Sequence, residues 1–183
     1  MRARAALLRG ALAMCVIAAA AVIALLLTRT APATTTGTYS TAAASWVLPR
    51  LDGAGTVSLA QFRGRPAVVD FFASWCTSCA GELPEFVQVS QRVGGRVAFI
   101  GVDSEENGDG MAMARNTGIT RWPLARDTGG SQLSGLRDAL EATPGMPITA
   151  FYDAAGRLQR VRLGALSGDE LSSLIAQLFG VTS

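Results

Sequence analysis

The sequence of 183 residues predicts an α/β fold in which a central mixed sheet is flanked by helices. An apolar run rich in β-branched and aromatic residues begins at Val68, which is typical of a buried strand, and a potential helix follows it. A second strand of the same kind, Arg96–Asp103, completes a parallel unit. Near the end of the chain, Ile148–Asp153 and Leu158–Leu163 predict an antiparallel hairpin, which makes the sheet mixed.

The other elements follow from local turn and capping signals. Strand-like segments on both sides of an Asp-Gly-Ala-Gly turn predict a short N-terminal β-hairpin, and the acidic, glycine-containing stretch Ser104–Gly110 predicts a solvated loop. The remaining elements predicted in this way are a helix that ends at Gly94-Gly95, a helix over Met111–Thr117 and a final amphipathic helix opened by Ser167.

The N-terminal segment predicts a membrane anchor. Arg2, Arg4 and Arg9 precede an apolar run over residues 11–27, which is near the lower limit for crossing a bilayer. Because positive charge flanks the N-terminal side, we expect residues 1–10 to lie in the cytoplasm and the rest of the chain outside it.

The alternative to an anchor is a cleavable signal sequence, for which Ala31-Pro32-Ala33 offers small residues, and the protein would then be secreted. The apolar run is longer than the usual core of a signal peptide, which favours the single-pass anchor. Residues 28–45, rich in Thr, Ala and Ser, predict a flexible linker. Residues 46–180 then form one domain.

The charge pattern argues against nucleic-acid binding. All 16 basic residues are arginine, and four of them precede residue 30, which leaves 12 basic against 14 acidic residues in the remainder. The domain is therefore mildly acidic and lacks the basic surface that nucleic acids require.

Two cysteines, Cys76 and Cys79, lie where the buried strand runs into the following helix. The unpaired N–H groups and partial positive charge of a helix N-terminus stabilise a thiolate over a thiol. We expect Cys76 to lie nearest these donors and to attack, and Cys79, one turn later, to resolve the mixed disulfide. The pair would thus form a redox-active disulfide.

Two other uses of a C-x-x-C pair fit less well. Zinc requires four ligands, whereas the chain has no histidine and only one further cysteine, Cys15, inside the apolar run. A structural disulfide across so short a loop removes little chain entropy and stabilises poorly. We therefore expect no metal and no other cofactor.

Two carboxyl groups near the cysteines are candidates for proton transfer. Asp70 interrupts the apolar strand and shares a face with Val68 and Phe72 by alternation, so we expect burial to raise its pKa. Glu82 lies three residues after Cys79 on the same helical face and can serve similarly; the alternative is an ordinary solvated residue.

These residues resemble the active site of the thioredoxin superfamily. The stretch FFASWCTSC, with Asp70 six residues before the first cysteine and Pro84 five after the second, carries the resemblance. Glu82 and Pro84 are similar to the pattern of the membrane-anchored TlpA/ResA/DsbE-like branch. The resemblance implies a thioredoxin-like fold with an added N-terminal hairpin. It also implies a short strand over Trp122–Asp127 and a helix over Ser131–Ala142.

The resemblance also implies a docking surface for client proteins. The family places a cis-proline opposite its C-x-x-C, and Met146-Pro147 matches that position; the alternative is a trans proline that opens a strand. Trp75 would complete the surface, although simple packing is its alternative role.

The function implied is an extracytoplasmic thiol–disulfide oxidoreductase that exchanges disulfides with client proteins. One option is a reductant for apocytochrome c, supplied by a membrane electron donor of the CcdA type; the other is an oxidase for secreted proteins. A thiol peroxidase of the peroxiredoxin type is the alternative activity, but Ala73 occupies the position of the threonine in that pattern.

Overall fold

The structure, a computed structural model, describes residues 41–129, 134–140 and 145–182. The predicted anchor over residues 11–27 lies outside these ranges, as does most of the predicted linker. Among the helices of the described ranges, none combines the length and the apolar character needed to cross a bilayer.

The described elements follow the predicted order. The strands are β1 Val47–Pro49, β2 Thr56–Ser58, β3 Ala67–Phe72, β4 Ala98–Ser104, β5 Leu124–Asp127, β6 Ile148–Tyr152 and β7 Leu158–Leu163. The α-helices are α1 Thr41–Ala44, α2 Thr77–Val93, α3 Gly110–Thr117, α4 Leu136–Ala139 and α5 Gly168–Phe179, with short 3₁₀ helices over Leu59–Phe62 and Ile119–Arg121.

The central sheet has five strands in the order β5-β4-β3-β6-β7. Strand β4 runs parallel to both β3 and β5, whereas β6 is antiparallel to β3 and to β7. The predicted mixed sheet and the C-terminal hairpin are therefore confirmed. Strand β3 lies in the centre and is buried along its whole length, which explains its nearly continuous apolar sequence.

Both faces of the sheet are covered, so the domain has two apolar cores. One face packs against α2, α3 and α5, and its core includes Val68 and Phe72 of β3 together with both cysteines. The other core includes Val69 and Phe71 of β3 and packs against the N-terminal hairpin and α4. The alternation of β3 thus directs Asp70 toward the same face as the cysteines.

The N-terminal hairpin, β1 paired with β2, is confirmed and extends to the edge of the main sheet. Arg50 forms an isolated antiparallel bridge with Ala125 of β5, and the N–H of Leu51 donates to the carbonyl of Leu124 at 2.9 Å. The chain after β1 therefore covers the outer edge of β5.

Three segments differ from the sequence prediction or are only partly described. The last residues of the predicted linker form α1, in which Ala43 is fully buried. The helix predicted over Ser131–Ala142 is represented by α4, while residues 130–133 and 141–144 lie outside the described ranges. The loop after β4 is not simply solvated, because Ser104 is buried and Glu106 contacts the segment before the cysteines.

Candidate active site

Cys76 is the N-cap residue of α2, at the junction of strand and helix that the sequence predicts. Its Sγ accepts a hydrogen bond from the backbone N–H of Cys79 at 3.0 Å, and the first turn of α2 contains no acidic residue. Cys76 and Cys79 are joined by a disulfide. The positive end of the helix is therefore directed at Cys76, an arrangement that stabilises a thiolate once the disulfide is reduced.

The two sulfurs differ in their access to solvent. Cys79 is fully buried, Cys76 retains 4% of its surface, and the adjacent Trp75 is 44% exposed. Another molecule therefore reaches this site at Cys76 and Trp75 before it reaches Cys79. Within the described residues, the structure contains no group of three or more potential metal ligands.

Asp70 is buried in the core between β3 and α2, as the alternation predicts. Its Oδ1 accepts a hydrogen bond from Thr149 Oγ1 at 3.2 Å, whereas Oδ2 has no partner. Burial raises the pKa of Asp70 well above its ordinary value, and the charge of Glu82 raises it further. The protonated form of Asp70 is therefore more strongly favoured than that of an exposed aspartate.

Glu82 is also buried rather than solvated, with 4% of its surface exposed. Its Oε2 accepts a hydrogen bond from the N–H of Leu166 at 2.8 Å, and Oε1 has no partner. Burial raises the pKa of Glu82 to about 7, the bond from Leu166 opposes this change, and the charge of Glu85 adds to it. Glu82 can thus exchange a proton near neutral pH, unlike an exposed glutamate.

The Met146–Pro147 peptide bond is cis, as the resemblance implies. The carbonyl of Pro147 accepts a hydrogen bond from Gly164 at 3.0 Å, which ties the start of β6 to the end of β7. Met146 is half-buried and packs against both cores, including the one that contains the cysteines.

The sequence interpretation missed the contacts between the loop after β4 and the segment before Cys76. The carboxylate of Glu106 accepts hydrogen bonds from the backbone N–H of Ser74 at 2.6 Å and from its hydroxyl at 2.5 Å. The indole N–H of Trp75 donates to the carbonyl of Glu105 at 2.9 Å. These partners are about 30 residues apart in sequence, so no local pattern could have revealed them.

A buried arginine was also missed. Arg137 of α4 is 2% exposed, forms an ion pair with Glu105, and donates from Nη2 to the carbonyl of Gly145 at 2.8 Å. It therefore links the loop after β4 to the residue that precedes the cis peptide. The sequence signal was an arginine in a short helix, a pattern that usually indicates a solvated position.

Comparison with known proteins places this fold and site in a family. The sequence profile of the AhpC/TSA family matches residues 40–161, which include both cysteines, both buried acids and the cis-proline. The chain belongs to the AhpC/TSA family. A structural neighbour of this AhpC/TSA protein, MTB dsbF in its mixed oxidized and reduced forms, superposes with a TM-score of 0.64 at 27% identity and covers 75% of this chain and 97% of that one.

Curated relatives of this AhpC/TSA protein include thiol:disulfide interchange proteins. It is 35% identical over 68 residues to the thiol:disulfide interchange protein TxlA homolog of Synechocystis, a match that covers 36% of this chain and 38% of the relative. It is 30% identical over 121 residues to the soluble secreted antigen MPT53 of Mycobacterium tuberculosis, covering 65% of this chain and 66% of the relative. The chain thus spans less than two thirds of the length of each.

Proposed function

We propose that this AhpC/TSA family member is a thiol–disulfide oxidoreductase that acts through Cys76 and Cys79. One observation carries the proposal: the sulfur of Cys76 caps a helix and accepts an N–H bond from Cys79, to which it is disulfide-bonded. A cysteine in this setting has a lowered pKa and is therefore a competent nucleophile and leaving group.

In the reductive direction, the thiolate of Cys76 attacks one sulfur of a client disulfide, and the second client sulfur leaves as a thiolate. The mixed disulfide is resolved when Cys79 loses its proton and attacks the sulfur of Cys76. This step releases the second client thiol and restores the Cys76–Cys79 disulfide, so two electrons pass from the protein to the client. The oxidative direction reverses each step.

Asp70 and Glu82 accept and return the protons that the cysteines exchange in this scheme. Cys79 is fully buried and needs an internal acceptor when it becomes a nucleophile. Glu82, whose pKa is about 7, can accept and return that proton near neutral pH, and Asp70 is the second buried acid on the same core face.

Trp75, Met146 and Pro147 form the docking surface for the client. Support comes from the exposed indole of Trp75 next to Cys76 and from the cis peptide that precedes β6. An extended client segment can pair there as an added strand.

The chain acts outside the cytoplasm, anchored by residues 11–27 or secreted after their removal; the arginines before this run support that orientation. A reductant for apocytochrome c with a membrane donor of the CcdA type is one role, and an oxidase for secreted proteins is the other. The reduction potential distinguishes them, since a value near −270 mV favours the reductant and one near −120 mV the oxidant.

The test is to trap the reaction intermediate. Cys79→Ala should accumulate mixed disulfides on Cys76 when the reduced protein meets a disulfide-containing polypeptide such as insulin, detected by non-reducing electrophoresis and mass spectrometry. Cys76→Ala is the matched control and should trap none. Trapping that requires Cys79 instead would reverse the two roles, and rapid consumption of hydrogen peroxide without insulin exchange would favour the thiol peroxidase.

A further inference from the structure

We propose that the loop Glu105–Gly108, between β4 and α3, is a positioning element for the client-binding surface, with Glu106 orienting the segment that carries Cys76. The proposal rests on the proposed thiol–disulfide exchange and adds residues that the sequence pattern did not assign to it. Glu106 touches neither sulfur, so its role is exerted through Ser74.

Both carboxylate oxygens of Glu106 accept hydrogen bonds from backbone or side-chain donors. Besides the two bonds from Ser74, it accepts N–H groups from Asn107 at 2.8 Å and Gly108 at 2.6 Å. Hydrogen bonds to an ionised acceptor are about twice as strong as neutral ones. Two of these four bonds therefore fix Ser74, two residues before Cys76, to a loop 32 positions away in the sequence.

A second acid, Asp103, lies beside Glu106 and has a different pKa. Asp103, at the end of β4, is buried, and burial followed by the proximity of Glu106 raises its pKa to about 8. Burial raises the pKa of Glu106, but the hydrogen bonds from Ser74, Asp103 and Gly108 together lower it below its ordinary value. At neutral pH Asp103 is therefore protonated and Glu106 ionised, so the loop tolerates two carboxyl groups at close range.

The loop fits against its partners only because two positions lack a side chain. A Cβ added to Gly108 would lie 2.5 Å from the hydroxyl oxygen of Ser74, and a Cβ on Gly110 would overlap the carboxyl group of Asp103. Close contacts to Ser74 on one side and to Asp103 on the other leave the loop little freedom to shift.

Glu105, the residue before Glu106, connects the loop to the rest of the docking surface. Its backbone has a φ of 53°, which is uncommon for a residue other than glycine, and its carbonyl accepts the indole N–H of Trp75. Its carboxylate pairs with the buried Arg137, which in turn donates to the carbonyl of Gly145. One dipeptide, Glu105-Glu106, is thus connected to the cysteine segment, the exposed tryptophan and the cis-proline loop.

The experiment measures kcat and KM for insulin reduction by the full chain, with dithiothreitol as the electron source. Because the loop orients the docking surface, Glu106→Ala should raise the KM for insulin about tenfold and change kcat much less. Glu106→Gln keeps one acceptor oxygen and should therefore give an intermediate KM. Asp109→Asn is the matched control, since it removes the same charge from the residue that follows the loop and caps α3, a position that asparagine also caps well, and it should leave both constants unchanged.

A double-mutant cycle tests whether Glu106 acts through its contact with Ser74 or through its negative charge alone. Ser74→Ala should raise the KM about threefold in the otherwise unchanged chain and have no further effect in the Glu106→Ala background, because the contact is already lost. Independent, multiplicative effects of the two substitutions, or an equal effect of Asp109→Asn, would overturn the positioning role while leaving the exchange activity intact. Failure of the unchanged chain to reduce insulin would overturn the proposed function itself and this proposal with it.

Discussion

At the scale of single residues, Asp70 and Glu82 differ from ordinary surface acids because of what surrounds each carboxyl group. Each has one hydrogen-bonded oxygen and one oxygen without a partner. An unpaired buried carboxylate oxygen is costly, so the neutral acid is favoured, as the raised pKa of both groups reflects. The charge of each affects the other, and we expect the two acids to titrate as a pair.

Replacing either acid should alter the pH dependence of exchange. We expect the rate at neutral pH to fall about tenfold to hundredfold in both variants: Glu82→Gln removes the proton acceptor for the buried Cys79, and Asp70→Asn removes the acid that is coupled to Glu82. The measurement is the rate of insulin reduction from pH 5.5 to 8.5, in which the unchanged chain should show an inflection near the pKa of Glu82, about 7.

The control for this pair is Asp169→Asn, which removes an exposed carboxylate of α5 that shifts the pKa of neither buried acid, and it should leave the rate nearly unchanged. If Asp70→Asn and Glu82→Gln behaved like this control, both buried acids would have only structural roles.

Sequence reasoning could predict these residues only to the extent that local pattern defines their surroundings. Alternation along β3 was sufficient to predict the burial of Asp70. It could not distinguish a buried Glu82 from a solvated one, because its burial depends on Leu166, which is 84 positions away. The roles of Glu106 and Arg137 depend on equally distant partners and could not be predicted at all.

At the scale of elements, the start of α5 supports the carboxylates of α2. The N–H of Leu166 donates to Glu82, and the N–H of Gly168 donates to Glu85. Ser167 lies between these two donors and caps α5, with Glu170 completing a capping box. The cap was predictable from the sequence because its partners are three residues apart, whereas its contacts with α2 were not.

Ser167→Ala should lower the free energy of unfolding by about 1 kcal/mol, the usual cost of losing an N-cap side chain. Urea denaturation measures it. Ser173→Ala, an exposed serine later in the same helix, is the control and should change stability by less than about 0.5 kcal/mol. Equal losses from both variants would mean that the cap contributes nothing specific.

At the scale of the whole molecule, several buried acids make stability depend on pH. Burial raises the pKa of Asp70, of Glu82 to about 7, of Asp103 to about 8 and of Asp127 to about 6. The folded protein therefore retains protons that the unfolded chain releases near pH 4. Because the folded state binds more protons, its stability must fall as the pH rises through this range.

We expect the free energy of unfolding of the oxidised protein to decrease by about 3 kcal/mol or more between pH 5 and pH 9. Urea titrations at one-unit intervals measure this slope. Asp103→Asn, which mimics the protonated acid, should flatten the slope between pH 6 and pH 9. A stability that increased over the same range would show that these acids are ionised in the folded state.

The bridge between Arg50 and Ala125 determines which edge strand of the sheet remains free to pair with another polypeptide. Since the chain after β1 occupies the outer side of β5, β7 is the terminal strand without a neighbour among the described residues. Strand β7 carries Arg160 and Arg162, and like charges of this kind discourage two copies from joining strand to strand. Removing the hairpin would leave the backbone of β5, a largely buried strand, unpaired along a second border, and we expect the shortened protein to self-associate.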